Sequence, residues 1–131
     1  MLFRSVERAG DLLRRGAEVR QMMAVVGEEG TSLDDFTVML KAEFFDTCYL
    51  QQNAFDKVDA ATPAERQQFV FDKILEVADL AFEFADKDLA RRTIVTAQDL
   101  FRNWNYAEWQ GGEFKKILGQ IDAFVATRGA Q

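Results

Sequence analysis

The chain has 131 residues, with 22 acidic against 16 basic side chains, no histidine and one cysteine. One domain, or one piece of a larger subunit, is expected at this length, and 48% apolar with 29% charged residues is a globular composition that excludes a disordered tail. A net charge of −6 argues against a general nucleic-acid binder, because such a surface repels phosphates.

The missing histidine and the single thiol exclude zinc sites, His-based triads and an internal disulfide, and they fit a reducing cytoplasm. None of the eight glycines is followed by lysine, so the phosphate loop Gly-x-x-x-x-Gly-Lys-[Ser/Thr] is absent. No apolar run approaches the roughly 18 residues of a membrane span, and no charged-then-apolar leader opens the chain, so neither insertion nor secretion is expected.

A single proline leaves little punctuation for hairpins and favours long helices. From Leu2 to Val26, Phe3, Val6, Leu13, Ala17, Met22 and Val26 recur at helical spacing, and Gly27 is a natural stop. Gly10 and Gly16 each cost about 1 kcal/mol inside that run, so a bend or a division is expected there.

In Ser32-Leu33-Asp34-Asp35, Ser32 can cap a second helix while Asp35 sits near its positive end. The stripe of that helix is Leu33, Phe36, Leu40, Phe44 and Cys48. Thr62-Pro63-Ala64-Glu65 combines a cap, a first-position proline and a capping-box glutamate, which starts a third helix. It carries Phe69, Val70, Ile74, Val77, Ala78, Ala81 and Phe82 to an end near Ala85 or Lys87. A fourth helix is expected from about Asp88 to Asn103, with Leu89, Ile94, Ala97, Leu100 and Phe101 inward. Trp104 to Gln110 reads as an aromatic connector. Gly111-Gly112 then breaks the chain before a last helix bearing Phe114, Ile117, Leu118, Ile121 and Phe124, ended by Gly129. The fold class is all-α, a bundle of about five helices.

Periodicity does not explain Tyr49 to Phe55. Three consecutive amides, Gln51, Gln52 and Asn53, lie between Leu50 and the pair Ala54-Phe55. Amides donate and accept, so they can read a heteroaromatic edge while Tyr49 or Phe55 stacks on its face. The plainer alternative makes Asn53 the cap that ends the second helix, with Phe55 folded onto the core. Asp56 and Asp59 are too few oxygen ligands for a calcium or magnesium cage. Cys48, on an apolar stripe without a nearby base, reads as a buried inert thiol. The pairs Arg14-Arg15, Arg91-Arg92 and Lys115-Lys116 read as solvated faces. Trp104, Tyr106 and Trp109 read as packing before docking. Twelve phenylalanines are many for this length, and some are expected at an interface.

The run Leu50-Gln51-Gln52-Asn53-Ala54-Phe55, then Asp56-x-Val58-Asp59 and Pro63-x-Glu65, resembles the C-terminal region of the catalytic A subunit of V-type and archaeal-type rotary ATPases. The upstream order is similar too: a long helix ending in Val-Gly, an acidic loop, then a helix leading into the signature. The resemblance spans about Leu12 to Leu75 and loosens beyond Ala85. Asp46-Thr47-Cys48-Tyr49 departs from the family's acidic pair and phenylalanine, and Thr62 stands where cysteine is common. The divergent tail points to a bacterial branch.

The resemblance implies that residues 1–131 form a C-terminal helical domain without catalytic or metal residues of its own. An upstream nucleotide-binding domain of the same subunit would hold the phosphate loop, and the intact subunit would use ATP or ADP with magnesium. Tyr49, Gln51, Gln52, Asn53, Ala54 and Phe55 would form the adenine-side wall. The loop Gly27 to Asp35 would face the central rotor stalk, with Leu33 packed under it and Glu28, Glu29, Asp34 and Asp35 turned to the rotor. B subunits would be further partners in the soluble head of a cytoplasmic complex, peripheral to the membrane, that couples ATP to proton or sodium transport. The rival reading is a stand-alone acidic helical module that takes a partner helix on a phenylalanine-rich face.

Overall fold

The computed structural model describes the backbone of residues 2–58 and 64–129, and the side chains of residues 6–49 and 64–129. Among the described residues there are five helices and no strand: α1 (Leu2–Val26), α2 (Leu33–Val58), α3 (Ala64–Ala78), α4 (Lys87–Asn105) and α5 (Gly112–Thr127). The expected all-α bundle is what forms. Thr62 and Pro63, the expected cap before α3, lie outside the described residues, as do Asp59 and the side chain of Asp56.

Helices α1 and α2 form an antiparallel hairpin in which Gly16 lies opposite Ala42 and Arg20 reaches Glu43 at 3.4 Å. The second helix is the centre of the bundle, packing on α1, α3 and α4, while α5 covers α4. Its expected stripe is the core: Phe36, Leu40, Phe44 and Cys48 are buried, and Leu33 packs half-buried at its start. Ile74 and Val77 of α3, Phe101 and Trp104 of α4 and Ile121 of α5 close around it. Each such side chain removed from water contributes about 1.5–3 kcal/mol. Phe44 and Phe101 meet edge to face with centroids 5.5 Å apart.

The first helix is continuous, without the expected division, and its buried side differs from the expected stripe, of which Leu13 packs on the core while the side chain of Phe3 lies outside the described residues. Ala9, Gly16 and Val19 face the core with Leu12, Leu13 and Met23 beside them. Val6, Ala17, Met22 and Val26 are exposed. A close approach between helices favours small residues at the crossing, and the larger aliphatic side chains fall outside it. Gly27 ends α1 as expected, at φ 79° with its N–H donating to the Met23 carbonyl at 2.8 Å, the left-handed cap that glycine adopts at little cost.

The third helix stops at Ala78, short of the expected end. Residues 80–85 are non-helical, with Leu80, Phe82 and Phe84 half-buried and Ala81, Glu83 and Ala85 exposed. This alternation has period two, which a helix cannot bury on one side. Phe82 stacks on Phe84 at 4.9 Å and meets Phe124 at 6.2 Å.

The next helix begins with Asp86 as its cap, whose carboxylate accepts from the Leu89 N–H at 2.7 Å. Leu89, expected inward, is exposed, and Thr93 takes a buried place instead. Trp104 belongs to α4, not to a connector. It is fully buried, stacked on Phe114 at 4.8 Å, and its indole N–H donates to the Phe114 carbonyl at 3.2 Å. The buried Arg66 guanidinium donates to the carbonyls of Trp104 and Asn105 at 3.3 and 3.0 Å; the Trp104 carbonyl also accepts from the Ala107 N–H at 3.0 Å, so Arg66 adds to the bonding of this helix end.

The expected aromatic cluster is divided. Trp109 packs on Phe69 and Phe114, whereas Tyr106 is 78% exposed. The ten phenylalanines with described side chains are all buried or half-buried. Six of them are buried, and Phe69, Phe71, Phe82 and Phe84, which keep part of their surface exposed, pack against the core.

Candidate functional site

The two expected functional regions sit at opposite ends of α2. Counted along the helix, Leu33 and Phe55 are separated by about 33 Å.

At the C-terminal end, α2 runs unbroken to Val58, so Asn53 lies within the helix and does not cap it. The side chains of Gln51, Gln52, Asn53, Ala54 and Phe55 lie outside the described residues. Their backbone is helical, and six residues at about 100° each set the positions of Tyr49 and Phe55 about 120° apart around the axis. They do not share a face. Tyr49 is 40% exposed. Its ring lies parallel to Phe45 with centroids 6.0 Å apart and edge-on to Phe71 at 6.3 Å, while Phe45 and Phe71 are 5.9 Å apart. This three-ring cluster ties the end of α2 to α3.

At the N-terminal end the loop is ordered by its own short contacts. Thr31 is buried, its hydroxyl donates to the Gly27 carbonyl at 3.0 Å, and its N–H donates to the Glu28 carbonyl at 3.1 Å. Ser32 caps α2 as expected, its hydroxyl oxygen accepting from the Asp35 N–H at 3.1 Å. Glu29 and Asp34 are exposed and Asp35 is half-buried. Leu33 lies beside the segment Ala85 to Asp88, with which it lines a shallow hollow.

Glu28 has a specific partner. Its carboxylate pairs with Arg91 and its carbonyl accepts from the Lys87 ammonium. Outside the loop, Met22, Val25 and Val26 form an exposed apolar tip, with Val25 86% exposed. Sequence reading puts Met22 and Val26 on the apolar stripe of α1 and Arg91 on a solvated face. The pairing of Glu28 with residues 59 and 63 positions downstream has no local signal.

Among the described residues no group of three or more potential metal ligands gathers, and no helix is long and apolar enough to cross a membrane. Burial pushes the Cys48 thiol up from its ordinary 9.0 to about 12, which removes it as a nucleophile.

Residues 4–90 match the family model described as the C-terminal domain of V and A type ATP synthase. The V-type ATP synthase alpha chain of Treponema denticola is 46% identical over 116 residues, covering 88% of this chain and 20% of that one. Alpha chain 1 of Treponema pallidum is 43% identical over 122 residues, covering 93% and 21%. The alpha chain of Protochlamydia amoebophila is 39% identical over 120 residues, covering 92% and 20%. No solved structure matches. The chain spans about a fifth of the length of these relatives, and the match to them extends well past the family model's end at residue 90. With its five-helix bundle, its acidic loop and its Leu-Gln-Gln-Asn-Ala-Phe segment in place, the chain belongs to the family of C-terminal domains of the A, or alpha, subunit of V- and A-type ATP synthases.

Proposed function

We propose that this domain works within a larger subunit as a lever between a nucleotide site and a rotor. Joined to an upstream nucleotide-binding domain, it lends one wall to the adenine side of a site that takes ATP or ADP with magnesium. With B subunits it belongs to the soluble head of a complex peripheral to the membrane, on the cytoplasmic side, which couples ATP to proton or sodium transport. It carries out no chemistry alone. The observation that supports this reading is the continuity of α2 from the ordered loop at Leu33 to Val58 beyond the amide segment. A helix resists axial compression, so displacement at one end reaches the other.

The separation of Tyr49 and Phe55 by about 120° around α2 supports different roles for them. Phe55, with Gln51 and Gln52, serves the base, and Tyr49 anchors the helix through Phe45 and Phe71. At the other end the apolar tip of Met22, Val25 and Val26 makes the rotor contact together with the loop. Exposed charge pairs are each worth only about 0–1 kcal/mol, so pushing depends on the reach and stiffness of the hairpin. Removing one helical turn from α1 and one from α2 beside the loop should lower the torque of the assembled complex clearly. Neutralising Glu29, Asp34 and Asp35 should change it little. Single-molecule rotation decides the matter, and full torque from the shortened hairpin would show that the loop is only a turn.

A further inference from the structure

The loop between α1 and α2 is held from outside its own hairpin. Glu28 is gripped at two points by the first turns of α4: Lys87 donates to its carbonyl and Arg91 pairs with its carboxylate. Both cations also lie over one ring, Phe36 in the first turn of α2, with the Lys87 nitrogen 5.7 Å and the Arg91 guanidinium carbon 5.1 Å from its centroid. Phe36 is only 1% exposed, so this ring is a fixed platform. A cation resting on it arrives at Glu28 already oriented, and less side-chain freedom remains to be lost when the pair forms.

The α4 end is fixed as well. Asp86 caps the helix through the Leu89 N–H, and Asp88 lies 3.5 Å from the Arg91 guanidinium, holding its other edge. The loop, the first turns of α2 and the first turns of α4 therefore meet around Phe36. Such a loop does not behave as the free connection between two helices that a hairpin alone would have.

We propose that Arg91 and Lys87 are positioning residues that clamp the loop through Glu28, so that the hairpin tip and α4 move as one body. The clamp itself rests on contacts within the chain; its consequence for torque rests on the rotor-facing reading given above. A load applied at the tip then passes along α2 and also into α4, and through Phe101 and Trp104 into the core.

The test uses the full subunit in the assembled complex, with amide hydrogen exchange and rotation measured on the same variants. Gly27 and Thr31 are suitable reporters, because their N–H groups bond within the loop region, to the Met23 and Glu28 carbonyls. Arg91→Ala should raise exchange at these amides about tenfold, the opening expected when an ion pair and a cation–π contact are both lost. Exchange in α5 should be unchanged. Glu28→Gln, which leaves α4 untouched, should raise loop exchange in the same direction. The swap Glu28→Arg with Arg91→Glu should recover part of the protection, and Arg91→Lys more of it than Arg91→Ala. Unchanged loop exchange in both single variants would overturn the clamp, and so would equal loosening of loop and α5, which marks a general loss of stability. Faster loop exchange with full torque would keep the clamp and overturn the rotor-facing reading. Faster exchange with reduced torque supports both.

Discussion

Gly16 and Ala42 meet so closely at the crossing of α1 and α2 that a Cβ added to Gly16 would lie 2.3 Å from the Ala42 Cβ. No pair of non-bonded carbon atoms tolerates that separation, and the neighbour is a short side chain fixed to the backbone, which cannot swing aside. The glycine costs about 1 kcal/mol of helix propensity. In return it lets the two backbones approach and buries the small-residue side of α1.

Gly16→Ala is therefore expected to force the hairpin apart and to destabilise the domain by about 1–3 kcal/mol, the usual cost of overpacking, in spite of alanine's better helix propensity. The compensating pair Gly16→Ala with Ala42→Gly should recover most of that loss. Denaturant melts of the two single variants and the double variant measure it. A stable Gly16→Ala single variant would show that the helices can separate at little cost.

This crossing also explains which parts of the fold sequence reading finds. The α2 stripe is legible because Phe36, Leu40, Phe44 and Cys48 are apolar, inward and at helical spacing, all at once. On α1 the same rule selects the wrong side, because burial at a close crossing belongs to Ala9 and Gly16 while Val6, Met22 and Val26 stay outside. The α3 end is misplaced for a different reason: Ala81 and Phe82 continue a helical pattern by spacing, but Leu80, Phe82 and Phe84 satisfy a two-residue period better. The candidate site divides in the same way. The loop's start and stop signals at Gly27 and Ser32 are local and readable. The grip of Lys87 and Arg91 on Glu28 is tertiary, and only the folded chain brings them together.

Cys48 provides a pH prediction. Its thiol is buried, and burial raises it from 9.0 to about 12. Below pH 9 the thiol is protonated in both folded and unfolded chains, so the contribution of this raised value to stability is fully present. As pH rises from 9 towards 12 the unfolded chain releases the proton first, and the contribution is lost at up to about 1.4 kcal/mol per pH unit. Cys48→Ala should be less stable at neutral pH because of the space it leaves, yet fall less steeply over that alkaline window. At neutral pH the native thiol should resist iodoacetamide until the chain is unfolded. Parallel alkaline slopes for the two proteins, or rapid labelling of the native chain, would contradict this reading.

Phe55 provides the prediction that bears most directly on the proposed nucleotide site, and its form follows from where an adenine wall would stand relative to the chemistry. The base lies far from the phosphoryl group that is transferred, so contacts with it are nearly equal in the ground and transition states. Uniform binding of that kind lowers KM without raising kcat. Stacking of an aromatic ring on a base is worth about 1–3 kcal/mol, which corresponds to a factor of about five to a hundred or more in KM. In the intact subunit within its complex, Phe55→Ala should therefore raise the KM for ATP about tenfold or more with kcat largely kept. Tyr49→Phe, which retains the ring stacked on Phe45 and edge-on to Phe71, should leave KM unchanged. Steady-state ATP hydrolysis by the three complexes measures both effects. An unchanged KM in Phe55→Ala would remove Phe55 from the pocket, and a large fall in kcat would mean that this end of α2 acts on the chemical or rotary step instead of on the base.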